Sequence, residues 1–430
     1  MKPEARTENY YCEERAMKDK SSKLNRRNFF KTIGAAGLGA VITSKTLAEP
    51  NEPNASEPNQ SAKGRDLAEG GPAQTPQVPI RKFGKSVQEV SALCLGAIQL
   101  RDNQVILTSS LKWGVTYWDT APVYTGGNSE ACIGKYLGAN PDMRKKIFLA
   151  TKASGAKSPQ DAEEKLKSSL KIMNTDYIDV FYAHGLNDTS PLTDEYKTWV
   201  EDAKKRGLFK YFGFSTHTNM ARCLSAAAKL GWVDAILTTY NYRLTKDADM
   251  QNAIDECFKA GVALTAMKTQ GRGPVSEDDK KLLEHFSARG WTDGQAKIKA
   301  VFEDERIASV SVGMNSVAYI TQNVAAVLDK ATLAQDDKII LERYAKDTCD
   351  GYCAGCSHIC DGAGYVSDVM RSLMYHNSYG DKDLARQTFA AIPAEVRDNL
   401  LKIDFSAAES RCPQRMPIAR LMREAVEKLA

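Results

Sequence analysis

From Ile80 onward the chain alternates short runs of β-branched and apolar residues with stretches of helical period, and no other feature of the sequence constrains the fold as much. The runs are Val90 to Leu95, Val115 to Trp118, Ile147 to Thr151, Tyr177 to Ala183, Lys210 to Phe214, Asp234 to Thr239, Val262 to Met267 and Ile307 to Val312. Each is followed by a helical stretch, such as Ala162 to Met173 or Met220 to Leu230. Strands separated by helices run parallel, because each crossover returns the chain to the same end of the sheet. Eight such units over roughly 250 residues have the size of an α/β protein of the (β/α)8 TIM-barrel type. A doubly wound sheet is the competing architecture, but no Gly-x-Gly-x-x-Gly follows the first strand. Before the barrel, Ile80 to Ser91 with Gly84 at its turn reads as a hairpin that closes the barrel floor.

Both ends of the chain differ from this centre. Residues 1–48 contain Asn25-Arg26-Arg27-Asn28-Phe29-Phe30-Lys31, a Gly/Ala-rich apolar run from Ile33 to Ile42, and Thr46-Leu47-Ala48. This segment resembles a twin-arginine export signal, which implies the export machinery as a partner and a periplasmic or other extracytoplasmic location. The apolar run is about half the ~20 residues of a membrane-spanning helix, so no stable membrane span is expected. A disordered basic tail before an apolar patch is the bland alternative. Residues 49–79 hold many Pro, Asn, Gln, Ser and Gly and too few large apolar side chains to offset chain entropy, the composition of a disordered linker. The barrel is expected over residues 80–330 and a small helical, cysteine-bearing C-terminal domain over 331–430, with helical spacing at Val366 to His376 and Ile418 to Leu429. The net charge is only +4, and no compact Lys/Arg run lies outside the N-terminal tail, so no nucleic-acid partner is expected.

In a TIM barrel the chemistry gathers where strands end. Asp119, Lys152 and His184 close the second, third and fourth runs, and Tyr124 lies in the loop five residues after Asp119. A Lys beside an Asp stays charged in a pocket, and that cation favours the ionised form of a nearby Tyr, lowering its pKa and making it a general acid. Taken singly, each residue has a structural alternative: a loop cap, a surface aromatic, an ion-pair partner and a satisfied core histidine. Together, Trp118-Asp119-Thr120-Ala121-Pro122-Val123-Tyr124, Thr151-Lys152 and Tyr182-Ala183-His184 resemble the aldo-keto reductase family over roughly residues 80 to 328. The resemblance implies nicotinamide-dependent reduction of a small carbonyl, or the reverse oxidation of an alcohol. Tyr124 would protonate the oxygen, Lys152 would tune Tyr124, Asp119 would hold Lys152, and His184 would orient the carbonyl. His217, after Gly213-Phe214-Ser215-Thr216, either faces the substrate or is structural.

The same resemblance implies a cofactor site with departures. Ser215 stands where the family holds the nicotinamide carboxamide, but Thr216 replaces the usual Asn, and Leu237 replaces the Gln three residues before Tyr240. Tyr240 would stack on the nicotinamide ring or else pack in the core. Gly313 opens the stretch resembling the adenosine-phosphate loop, and Asn323 holds the adenine-binding place. No Arg or Lys occurs from Gly313 to Asn323, which argues against strong selectivity for a ribose 2′-phosphate. NAD, weak NADP binding and a cation from elsewhere are all compatible. Lys268 and Arg272 are either pyrophosphate contacts or solvated loop charges.

Five of the ten cysteines fall between Cys349 and Cys412. Cys353-x-x-Cys356-x-x-x-Cys360 and the remote Cys412-Pro413 resemble the ligand set of one [4Fe-4S] cluster in the ferredoxin-like C-terminal extension of some bacterial aldo-keto reductases. A two-cluster pattern would need more thiols. Cys349 is then the spare, and zinc, with His358 as a ligand, or disulfides are alternatives for the same thiols. Cys94, Cys132, Cys223 and Cys257 fall within strand or helix patterns and read as small core hydrophobes. The resulting expectation is an exported nicotinamide-dependent oxidoreductase with one cluster, supplied by a resident cofactor or by a redox partner. A purely structural cluster is also open. The alternative is an exported iron-sulfur electron-transfer or ligand-binding protein on a reductase scaffold without nicotinamide turnover.

Overall fold

Eight parallel strands close into a barrel in the order of the chain. They are β3 (Leu93–Gly96), β4 (Tyr117–Asp119), β5 (Phe148–Ala153), β6 (Ile178–Ala183), β7 (Phe209–Thr216), β8 (Ala235–Thr239), β9 (Ala263–Met267) and β10 (Ser309–Gly313), with β10 paired to both β9 and β3. In front of them β1 (Ile80–Lys82) and β2 (Glu89–Ser91) form the expected antiparallel hairpin. This computed structural model describes residues 75–270, 277–347, 356, 365–378, 382–412 and 415–430. The export segment, most of the linker, Arg272, Cys349, Cys353, His358, Cys360 and Pro413 lie outside them. Among the described residues no helix is long and apolar enough to cross a membrane.

The strands are mainly apolar and largely buried because both faces are covered. β5, β6, β8 and β9 are buried over their whole length, as a parallel sheet enclosed by helices requires. Inward residues such as Cys94, Tyr117, Ala150, Val180, Tyr182 and Leu237 form one apolar cluster, and outward residues such as Leu149, Phe181, Phe214 and Ile236 pack with the helices in another. Phe83 plugs the floor: its ring centroid lies 4.8 Å from Phe148, 5.3 Å from Tyr211 and 6.3 Å from Tyr117, near the starts of β5, β7 and β4. Gly84 makes this turn feasible, since its φ is +61° and a Cβ there would sit 2.4 Å from the Gly261 carbonyl oxygen. Several of the helices begin at side-chain caps. Ser158 accepts the Asp161 N–H, with Pro159 in the first turn, and Thr292 and Gln295 form a reciprocal capping box.

Two sequence-based boundaries move. Val78, within the stretch read as linker, is buried, and its N–H donates to the Trp113 carbonyl at 2.9 Å. The helix Gln335–Asp347, assigned from sequence to the C-terminal region, brings Leu341, Tyr344 and Ala345 against Phe286, Trp291 and Ala296 of the barrel's outer helices. Its apolar face finds a partner in the barrel layer rather than in the tail. The later helices, including Val366–Ser378, Lys382–Ala390 and Ile418–Leu429, surround their own apolar cluster, which also contains Cys356 and Cys412. Cys94, Cys132, Cys223 and Cys257 are buried core residues, as read from sequence.

Candidate active site

At the C-terminal ends of neighbouring strands, register brings the polar residues together. Asp119 is the last residue of β4 and Lys152 lies near the end of β5. Lys152 is 1% exposed, and its Nζ donates to Asp119 Oδ1 and to the Thr120 carbonyl, each at 2.7 Å. The same ammonium sits 4.6 Å from the centroid of the Tyr124 ring. The ring of His184, immediately after β6, meets Tyr124 edge-on at 6.2 Å. Its Nδ1 is 2.5 Å from Ser154 Oγ, which fixes the ring through one nitrogen and leaves the other for a ligand. All four residues named from sequence therefore meet at one barrel mouth.

The electrostatics differ from expectation at one point. Burial raises the Tyr124 phenol pKa, and the pull of Lys152 in the opposite direction does not cancel it. The expected lowering is therefore corrected: desolvation of the phenolate wins. A phenol that stays protonated at neutral pH is the form in which a proton donor must wait. Burial pulls the Lys152 pKa down, but Asp119 and Tyr124 together lift it above the ordinary value, so the cation persists. Burial raises the Asp119 carboxyl, with Lys152 pulling it back. His184 is pushed down to about 4, first by burial and then by Lys152.

His184 is thus expected to remain neutral through the physiological range, and an NMR titration of its ring should find the midpoint near the low value. Because the folded pKa lies below the unfolded one of about 6.5, stability is expected to fall as pH drops from there toward about 4 and to level off below it. A ring midpoint near the unfolded value would contradict this.

The residues expected to hold a cofactor divide. Ser215, at the end of β7, is 1% exposed and its Oγ accepts the Gly185 N–H at 2.9 Å, so its own proton is left to donate. Lys268 follows β9 in a left-handed conformation, φ +59°, and its charge acts on both Asp119 and His217. Gly313 is exposed at the end of β10, and a Cβ there would meet nothing within 4 Å. The loop after it leads into the N-terminus of helix Val317–Leu328, a favourable place for a phosphate.

Two of the cofactor residues are corrected. Tyr240 is 1% exposed and points into the outer helix layer, where its hydroxyl lies 3.0 Å from Asp304 Oδ2 and accepts from Gln251 Nε2 at 2.9 Å. Leu237 faces the barrel interior and Thr239 the mouth, so period-2 alternation turns Tyr240 away from both. Asn323 is also 1% exposed; it accepts from Gln270 Nε2 at 3.0 Å and donates to the Gly313 carbonyl at 3.3 Å. Its amide ties the β9 and β10 loops together instead of facing an adenine.

Sequence reasoning missed some contributors. Ser154 orients His184. His217, left open, has Nδ1 3.0 Å from Thr239 Oγ1, and burial followed by Lys268, Arg371, His184 and Lys152 pushes its pKa far down. Arg371 belongs to the helix Val366–Ser378, so a charge from the C-terminal helices acts on the barrel mouth. Of the four thiols assigned to a cluster, Cys356 and Cys412 are buried in one apolar group. Among the described residues no set of three or more His, Cys, Asp or Glu gathers as metal ligands.

The family model for the Aldo/keto reductase family matches residues 91–339, more than half of the chain and the whole of this constellation. The chain belongs to the aldo/keto reductase family. Members of that family are generally NAD(P)H-dependent oxidoreductases on the (β/α)8 fold. Among similar proteins, L-galactose dehydrogenase of Arabidopsis thaliana is 23% identical over 298 residues, covering 62% of this chain and 93% of the relative. A protein of Oryza sativa subsp. japonica named as a probable voltage-gated potassium channel subunit beta is 27% identical, covering 62% and 90%. An aldo-keto reductase from Bacillus halodurans superposes with a TM-score of 0.51 at 24% identity, covering 62% of this chain and 96% of that structure, a likeness of fold alone.

Proposed function

We propose that this aldo/keto reductase transfers hydride between NAD or NADP and a small carbonyl or alcohol substrate. One observation carries the reading: a buried Lys152 ammonium held 2.7 Å from Asp119 and 4.6 Å from the Tyr124 ring, with His184 edge-on to that ring. When bound, the nicotinamide supplies the hydride that goes to the carbonyl carbon. Tyr124 gives its phenolic proton to the carbonyl oxygen, and Lys152 stabilises the phenolate left behind. Asp119 keeps Lys152 charged and in place. Neutral His184 donates a hydrogen bond that orients the carbonyl before the proton moves. Ser215, Lys268 and Gly313 are the side chains and backbone that would hold the cofactor.

In the same reading, residues 1–48 direct twin-arginine export to an extracytoplasmic location, residues 49–79 are chiefly linker, and the helices beyond the barrel form a small cysteine-bearing domain. Cys353, Cys356, Cys360 and Cys412 would hold one [4Fe-4S] cluster. The burial of Cys356 and Cys412 in the same apolar cluster, although far apart in sequence, supports such a site. The cluster supplies a one-electron redox centre, or a covalent staple for a small core. A second reading, an exported iron-sulfur or ligand-binding protein without nicotinamide turnover, is favoured by the departures at Thr216 and Leu237 and by the side chains of Tyr240 and Asn323, which are engaged by other protein groups.

One experiment separates the two: anaerobic titration of the full chain with NADH and then NADPH in the presence of 4-nitrobenzaldehyde, following the nicotinamide absorbance and the visible region. The first reading expects cofactor oxidation with alcohol formed and a brown chromophore lost in Cys412→Ser. Colour without consumption or binding of either cofactor would favour the second. Unchanged iron content in Cys412→Ser would remove that ligand from the assignment.

A further inference from the structure

We propose that Ser129 and Glu130, in the first turn of the helix Asn128–Ala139, are positioning residues that fix the Asp119–Lys152 pair by gripping its chain neighbours, Thr120 and Thr151. The inference rests on the carbonyl-reduction reading for its catalytic meaning. Its geometry stands independently.

Both side chains are fully buried, an uncommon setting for a hydroxyl and a carboxyl on adjacent residues. Ser129 Oγ donates to the Ala97 carbonyl at 2.9 Å, which commits its only proton. The 2.7 Å contact with Thr120 Oγ1 is then one in which Thr120 donates to Ser129. Thr120 directly follows Asp119, and its carbonyl accepts one of the Lys152 protons at 2.7 Å. On the other strand, Thr151 Oγ1 donates to Glu130 Oε1 at 2.5 Å, and Thr151 directly precedes Lys152. Two consecutive residues of one helix therefore hold the neighbour of the anion on β4 and the neighbour of the cation on β5.

Stability alone does not account for Glu130. Its Oε2 is buried with only the Ser169 hydroxyl, itself outside normal hydrogen-bond geometry, acting on it as a donor, and the carboxyl forms no ion pair among the described residues. Such a group costs folding free energy that an apolar side chain of similar volume would not. Its place in the first helical turn recovers part of that cost through the helix dipole. The entry to the helix also links the two jobs. Gly126 and Gly127 adopt φ +64° and +90°, and this left-handed turn leads from Tyr124 directly into Ser129 and Glu130. A single stretch from Asp119 to Glu130 thus delivers the anchor, the proton donor and the grip on both strands. Burial raises the Glu130 carboxyl, and the hydrogen bond from Thr151 pulls it back.

The test compares the full-length protein with Glu130→Ala, Glu130→Gln, Thr151→Val and Thr151→Ser. Gln retains an acceptor oxygen, Val is isosteric with Thr but has no hydroxyl, and Ser restores the hydroxyl. Kinetics with 4-nitrobenzaldehyde and crystal structures of each folded variant are the two readouts. The expected result is a fall in kcat of about 10- to 100-fold in Glu130→Ala and Thr151→Val, with KM changed less than about twofold. Glu130→Gln and Thr151→Ser should recover most of the rate, and the Lys152 Nζ to Asp119 Oδ1 separation should lengthen only in the first two. If Glu130→Ala fails to fold, Thr151→Val carries the comparison. Unchanged kcat in folded Thr151→Val, or an ion pair intact at its parent distance there, overturns the proposal. If the parent itself shows no turnover, the reductase reading has failed, and the crystallographic separation alone decides whether the grip exists.

Discussion

Tyr124→Phe is expected to lower kcat for carbonyl reduction by about 10²- to 10⁴-fold, the usual worth of a positioned general acid, with little change in KM. The substitution removes one oxygen and keeps the ring, so the contact between the ring and Lys152 at 4.6 Å survives. Cofactor binding and thermal stability should therefore stay near parent values while the chemical step is lost. The pH profile adds a sign. A donor acts only while protonated, and burial holds the Tyr124 phenol above its ordinary value. The parent's kcat should then show no loss from tyrosine ionisation near neutral pH, and that limb should appear only in the alkaline range. Steady-state kinetics of both proteins across pH check each point. Turnover retained in Tyr124→Phe would remove the tyrosine from the mechanism and leave the barrel mouth as a binding site.

The sequence was informative where function depends on position along a strand. Each of the eight apolar runs overlaps one of the eight barrel strands, the first also taking in the end of β2, and the polar residues that end them converge, because in a parallel barrel every strand finishes at the same rim. Tyr240 was misjudged although its alternation with Leu237 and Thr239 was already readable in the chain: two inward neighbours of one parity leave the residue between or beyond them facing outward. Asn323 is a different kind of miss. Its local pattern is that of a binding loop, and only the approach of Gln270 from another strand end fills its amide. The stretches holding Arg371 and Gln335–Asp347 were legible as helical, but their particular partners were not, since which neighbour an amphipathic helix chooses depends on surfaces assembled from distant segments. The pKa direction at Tyr124 failed for a related reason. Sequence named the cation that lowers it, and the degree of burial that outweighs that cation is a property of the assembled mouth.

Lys152→Met should give the largest combined effect, because it removes the cation and leaves Asp119 buried, 3% exposed, without its partner. Breaking a buried pair from one side typically costs about 3–5 kcal/mol, and turnover should fall at least as far as in Tyr124→Phe because the departing proton then leaves an unsupported phenolate. The pH dependence of stability should change character. In the parent, the folded pKa of Lys152 lies above its unfolded value of about 10.4, so its contribution is complete below that pH and is lost only as pH rises through the folded value. In the variant, Asp119 keeps the burial that raises its carboxyl and loses the Lys152 attraction that pulled it back. Its folded pKa then lies further above the unfolded value of about 3.9, so the variant should be most stable in acid and weaken as pH rises through that folded pKa. Adding Asp119→Asn should recover most of the lost stability by removing the stranded charge, and should recover none of the turnover. Urea unfolding at a series of pH values, with kcat measured on the same preparations, separates the two contributions. Recovery of turnover together with stability in the double variant would mean that the pair holds the barrel mouth in shape without taking part in proton transfer.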